Sequence, residues 1–337
     1  MGYRLLSRYR APLMGFAMVW VMLFHATDLE LGHPLLDGIR AAGFGGVDIF
    51  ILLSAMGLAL SLSRREQDYS SFMARRAGRI LPAYYLVVIP YTLYLILAKG
   101  KYWSALIWNT TLLYYWMRSS AAFNWYVAGA MTFYALTPFC FRRLRASGNR
   151  AGLTAAGVAG ALLVCQLLMQ EGYWYVTDFF FRVPVFFLGL LLGFYVGEER
   201  ELGKKDLIFW SASLLAGVGY LAAAFLWTDC PLELPLCHLF LFTSVPMCLV
   251  LCFLFEKLPL GWPGRFLALV GECSLEIYLL NVSLFSELEL LRRVIPTGPG
   301  SLLYFAIAIP LNIILGIALH RLVEWARTRY QRAHSRP

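Results

Sequence analysis

The sequence predicts an all-α protein, a polytopic bundle of about ten transmembrane helices. Three observations carry that expectation. Hydrophobic residues make up 60% of the 337-residue chain and charged residues only 15%, a balance far from that of a soluble domain. Apolar segments close to membrane-spanning length recur from end to end. The polar stretches between them are too short to hold a soluble domain of about 50 residues or more. A single membrane domain over 1–337 is the resulting partition.

The apolar segments fall near 11–27, 43–63, 80–98, 103–117, 123–141, 151–169, 179–196, 207–227, 236–256, 266–287 and 301–323. The first follows Arg4, Arg8 and Arg10 and continues into His25-Ala26-Thr27-Asp28 with no small-residue cleavage pattern, so it reads as a retained helix. The fourth is the shortest and is rich in interfacial residues, among them Trp103, Trp108, Asn109, Tyr114, Tyr115 and Trp116. Segments well below about 17 residues tend to be re-entrant or interfacial.

Charge points the same way. If 103–117 crossed the membrane, the loop with Arg142, Arg143, Arg145 and Arg150 would face outside, against the cytoplasmic excess of Lys and Arg. With 103–117 left as a non-spanning segment, both termini and most of the 29 Lys and Arg residues are cytoplasmic. Arg118, Arg292 and Arg293 then fall outside, beside the acidic loops with Asp28, Glu30, Glu171, Asp178, Asp229 and Glu233. The net charge of +9 is therefore mostly topological, and no nucleic-acid partner is expected. The chain shows no internal repeat and no inverted pair of broken helices of the transporter kind.

Cys230 and Cys237 flank the outer stretch CPLELPLC and fit either a disulfide or two reduced thiols. No metal-ligand spacing is present, so no metal is expected.

Several polar residues are not explained by composition. His25 closes the first apolar run, and an ionisable group at the edge of a span is a functional candidate. A largely neutral imidazole can accept a proton from a hydroxyl, although the same residue can simply cap a helix at the headgroup layer. Asp48, in GGVDIFILLSAMG, belongs at similar depth. It can orient His25 as a carboxylate orients the imidazole of an acyl-transfer triad, or cap its own helix in outer water. Arg182, in FFFRVPVFFLGLLLG, can reach the headgroups or stabilise a developing oxyanion. Asn281 lies toward the outer half of its segment and Glu276 deeper. Five residues apart on a helix, those two point about 140° from each other, whereas Ser274 and Asn281 share a face. On the cytoplasmic side, Arg75, Arg76 and Arg79 precede the third segment, with Arg76 and Arg79 at i, i+3 on one helical face. Such a trio fits ordinary positive-inside anchoring and equally the bidentate binding of phosphates. Arg10 adds a fourth guanidinium, about 20 Å below the His25 region by helix rise.

In this order, the blocks YRAPLMGFAMVWVMLFH, GGVDIFILLSAMG, RRAGRILPAYY, NWYVAGAMTFYALTP, FRVPVFFLGLLLG and GECSLEIYLLN resemble membrane acyltransferase family 3, the integral-membrane O-acyltransferases. The resemblance covers roughly 10–285. It implies a ten-helix bundle that takes an acyl group, usually acetyl from acetyl-CoA, and delivers it to an acceptor on the outer face. His25 matches the family's essential histidine, and Arg76 and Arg79 match its RxxR motif on the acyl-CoA side. The chain departs from the family pattern in several places. Met14 stands where an arginine commonly precedes the histidine by eleven residues, with Arg10 one turn earlier as a substitute. Ser54-Ala55 replaces a Ser-Gly pair, the glutamate after the tryptophan is missing from NWYVAGAMTFY, and Asn281 replaces a histidine. No SGNH-type hydrolase domain is found in the sequence.

The expected activity is thus a membrane O-acyltransferase, placed in a bacterial cytoplasmic membrane. Its donor is acetyl-CoA or another acyl-CoA held by Arg10, Arg76 and Arg79, and its acceptor is a hydroxyl of a glycan or small molecule. His25 is the general base, with Asp48, Arg182 and Asn281 in support. Direct transfer and an acyl-His25 intermediate both remain open. The alternative is a non-catalytic transporter or flippase of a lipid or glycan, using His25 and Asp48 as a proton relay.

Overall fold

The computed structural model describes residues 2–117, 123, 125–227, 230–258, 261–287 and 302–334. Arg118, Asp229, Arg292 and Arg293, assigned above to the outer side, lie outside the described residues.

Helices account for nearly all of the regular structure. Among the described residues there is no β-strand, only an isolated bridge between Gly2 and Glu201. In chain order the helices are α1 (Arg4–Arg8), α2 (Arg10–His25), α3 (Pro34–Ala41), α4 (Gly46–Arg64), α5 (Tyr69–Lys99), α6 (Ser104–Thr110) and α7 (Tyr126–Ala146). They continue as α8 (Arg150–Gln170), α9 (Thr177–Phe180), α10 (Val183–Gly197), α11 (Lys204–Leu226), α12 (Leu239–Lys257), α13 (Gly261–Glu272), α14 (Ser274–Leu280) and α15 (Leu302–His334). Among the described residues, seven segments are long and apolar enough to cross a membrane, and the bent pair α13 and α14 makes an eighth if it counts as one span. The expected total of ten also includes α2 and α7. At 16 residues α2 falls short in length, and α7 spends its last turn on Arg143 and Arg145. The short α6 covers about 10 Å at 1.5 Å per residue, a third of a bilayer core.

Local chemistry sets several of these boundaries. Asp68 caps α5, accepting hydrogen bonds from the Ser70 hydroxyl at 2.5 Å and the Ser71 N–H at 2.9 Å. Those two donors hold its carboxyl below the ordinary carboxylate range. The helix therefore starts a full three turns before the apolar run at residue 80 and carries Arg75, Arg76 and Arg79 as one rigid ramp.

Small residues let the central helices touch backbone to backbone, the usual currency of packing in lipid. A methyl group on Gly15 would overlap the Leu267 carbonyl, and one on Gly271 would overlap the Ala11 carbonyl, which locks α2 against α13. Gly189 and Gly193 do the same for α10 against the backbone of α4. The most buried helix is α4, with α10 beside it, whereas α8, α11 and α15 turn apolar side chains outward. The stretch 266–287, read from sequence as one continuous segment, is bent by 69° at Cys273. The cause is competing contacts: α13 is held by α2 through Gly271, while α14 packs on α15, where Gly316 leaves room for Ile277.

All seven cysteines carry free thiols, so Cys230 and Cys237 are not bridged.

Candidate functional site

Two cavities organise the polar residues of the bundle. The larger, about 550 Å³, is walled by α2, α4, α5, α7, α13, α14 and α15. Arg10, Arg75, Arg76, Arg79 and Arg327 line it, together with Glu272, Glu276, Glu324 and His320. Five guanidiniums against three carboxylates leave the space suited to a polyanion of phosphate type. Arg76 and Arg79 reach it together because α5 is helical through both, which puts i and i+3 on one face. Arg10 lies flat on α4, where Gly57 provides the space: a Cβ there would sit 3.2 Å from the guanidinium carbon.

The smaller cavity, about 30 Å³, holds His25 and Asn281, with Met22, Tyr304 and Phe305 among its walls. His25 Nδ1 and Asn281 Oδ1 are both buried without a hydrogen-bond partner. His25 and Arg10 stand at opposite ends of α2, fifteen residues or about 22 Å apart by helix rise. The two cavities therefore sit at the two ends of one helix.

Asp48 is placed differently from its expected role. It is fully buried, and its charged partner is Arg182, with Nε to Oδ2 at 3.7 Å. No hydrogen bond joins Asp48 to His25, because neither carboxylate oxygen nor His25 Nδ1 has a hydrogen-bond partner. The polar side chains that share the small cavity with His25 are Asn281 and Tyr304. Arg182 also donates to the Asp178 carbonyl at 3.0 Å and to its carboxylate at 3.3 Å, and it stacks over Trp125 at 4.9 Å. The headgroup-reaching alternative does not describe a guanidinium that is 3% exposed and held by three neighbours. Arg182 joins α4, α9 and the Trp125 turn; it shares neither cavity with His25.

Glu276 and Asn281 line different cavities, as their opposed faces on a helix require. Ser274 lines the larger one, so it and Asn281 are not brought to a common site. Sequence reading missed the Glu276–His320 pair, Oε1 to Nδ1 at 3.1 Å, which ties α14 to α15 at the wall of the large cavity. A signal was present. His320, Glu324 and Arg327 follow i, i+4, i+7 spacing, a polar stripe on an apolar helix, and all three line the cavity. Met14, the position of the missing family arginine, also faces this cavity, one turn beyond Arg10.

Among the described residues, no group of three or more His, Cys, Asp or Glu side chains is placed to hold a metal ion.

An apolar helix bundle with an arginine-lined internal cavity and a histidine beyond it defines an integral-membrane protein. A family model described as an acyltransferase domain matches residues 13–321, nearly the whole chain. The chain belongs to membrane acyltransferase family 3 and is a membrane acyltransferase. No curated protein and no solved structure matches it.

Proposed function

We propose that this acyltransferase uses an acyl-CoA donor, with acetyl as the acyl group, and modifies a hydroxyl of a glycan or other extracytoplasmic acceptor. Arg10, Arg76 and Arg79 bind the CoA phosphates from the cytoplasmic side, and Arg75 and Arg327 extend the same basic wall. His25 acts as general base: it takes the hydroxyl proton while the new C–O bond forms, the C–S bond breaks, and the proton passes to the leaving thiolate. The products are the ester and free CoA thiol. Asn281 orients His25 or donates to the oxyanion, and Arg182 and Asp48 hold the surrounding helices.

The observation that carries this reading is the sharing of one large cavity by Arg10, Arg76 and Arg79 while His25 stands at the other end of α2. The proton-relay alternative has less support, since its two members make no hydrogen bond to each other. Ten spans, cytoplasmic termini and a bacterial cytoplasmic membrane complete the proposal. Cysteine labelling at Arg145 from the cytoplasmic side alone agrees with that orientation; labelling only from outside overturns it.

The enzymatic test is transfer of labelled acetyl from acetyl-CoA to a panel of hydroxyl acceptors by purified wild type and His25→Ala. Acceptor-dependent transfer lost in the variant is expected. Equal activity in both proteins removes His25 from the mechanism, and CoA release that ignores every acceptor defeats the O-acyltransferase assignment.

A further inference from the structure

The large cavity ends short of His25. It and the His25 cavity have no lining residue in common, yet a donor anchored at Arg10 has to present its thioester about 22 Å away along α2. One file of side chains spans that interval. Met14 lines the large cavity, Met22 lines the small one, and Met18 between them is fully buried. Four-residue steps turn about 40° each, so the three spread over an arc of about 80° on one side of the helix, and His25, eleven residues after Met14, falls inside that arc at about 20° from Met14.

We infer that Met14, Met18 and Met22 form a gated conduit for the thioester arm of the donor, with Met18 as the gate; this rests on the acyl-CoA reading above. The rest of α2 is fixed. Gly15 abuts the Leu267 carbonyl on α13, and Gly43 and Gly46 abut the Trp20 and Ala17 carbonyls, each with no room for a Cβ. A path past α2 must therefore open by side-chain rotation. Methionine suits this: it is unbranched, has three rotatable bonds and fills irregular space without a rigid shape. Met22 is held by a weak contact, the Asn312 amide nitrogen 3.4 Å from its sulfur, with Asn312 itself buried on α15. A linear arm of the pantetheine type is narrow enough to displace thioethers in file.

The test compares Met18→Phe and Met18→Ile with wild type for CoA affinity and for acetyl transfer at saturating donor. Stiffening or filling the gate leaves CoA affinity within about twofold and lowers turnover by about tenfold in Met18→Phe, a kcat effect without a matching change in binding. Met18→Ile, of nearly conserved volume, keeps the measurement possible if the larger ring prevents folding, with an expected loss of about threefold. A folded variant with wild-type turnover overturns the conduit, as does a loss of CoA affinity equal to the loss of turnover. Absence of acyl-CoA-dependent transfer in wild type instead overturns the donor assignment itself.

Discussion

Replacing Asp48 by asparagine tests whether this carboxylate serves the fold or the imidazole. The substitution leaves Arg182 buried with its Asp48 partner neutralised across 3.7 Å. At that separation and an effective dielectric constant of about 20, the attraction removed is about 4 kcal/mol. Breaking a buried pair from one side typically costs about 3–5 kcal/mol. Arg182 retains Asp178 at 3.3 Å and the Trp125 face, which places Asp48→Asn near the lower end, about 3 kcal/mol. Thermal unfolding of the detergent-purified protein reads this as a fall of about 6 °C, at roughly 2 °C per kcal/mol for a large chain. Arg182→Met strands a carboxylate with 0% exposure and is expected to cost more. Asp48→Asn with Arg182→Met removes both charges and should recover about 2 kcal/mol relative to the sum of the single changes. Additive losses refute the pairing. Unchanged unfolding in Asp48→Asn together with lost transfer refutes the structural role and returns Asp48 to His25.

Arg76→Ala and Arg79→Ala are each expected to weaken CoA binding about tenfold, the worth of one charge-assisted contact; calorimetric affinities equal to wild type in both variants remove the phosphate role. Glu276→Gln cuts the charge-assisted bond to His320 at the cavity wall and should lower the unfolding temperature by about 2–4 °C, while an unaltered transition means the pair contributes nothing to holding α14. Gly271→Val forces α2 and α13 apart and should abolish a monodisperse gel-filtration peak, whereas Gly160→Ala, with open space beyond it, changes stability by no more than about 1 kcal/mol. Equal behaviour of the two glycine variants disproves the backbone contact.

The placement of His25 at the end of α2 and of the RxxR pair on one face of α5 could be read from the chain because each is a polar exception in an apolar or helical context of known period. Arg76 and Arg79 share a face through their spacing alone, and any helix across them delivers both to one side. The pairing of Asp48 was not legible, since depth along a helix places it level with His25 but says nothing about azimuth between helices. Arg182 claims it across a contact that joins residues 134 positions apart. His320 and Glu276 escaped notice for the same reason, although the polar stripe of α15 was there to be seen.

The sequence by itself determined an all-helical membrane bundle and the approximate limits of its apolar segments, because hydropathy and helical period are local properties. Tertiary structure alone decided the 69° break at Cys273, the Asp48–Arg182 pair and the separation of two cavities along α2. Those depend on which glycines let two backbones meet, and close packing between distant segments leaves no mark in the spacing of either one.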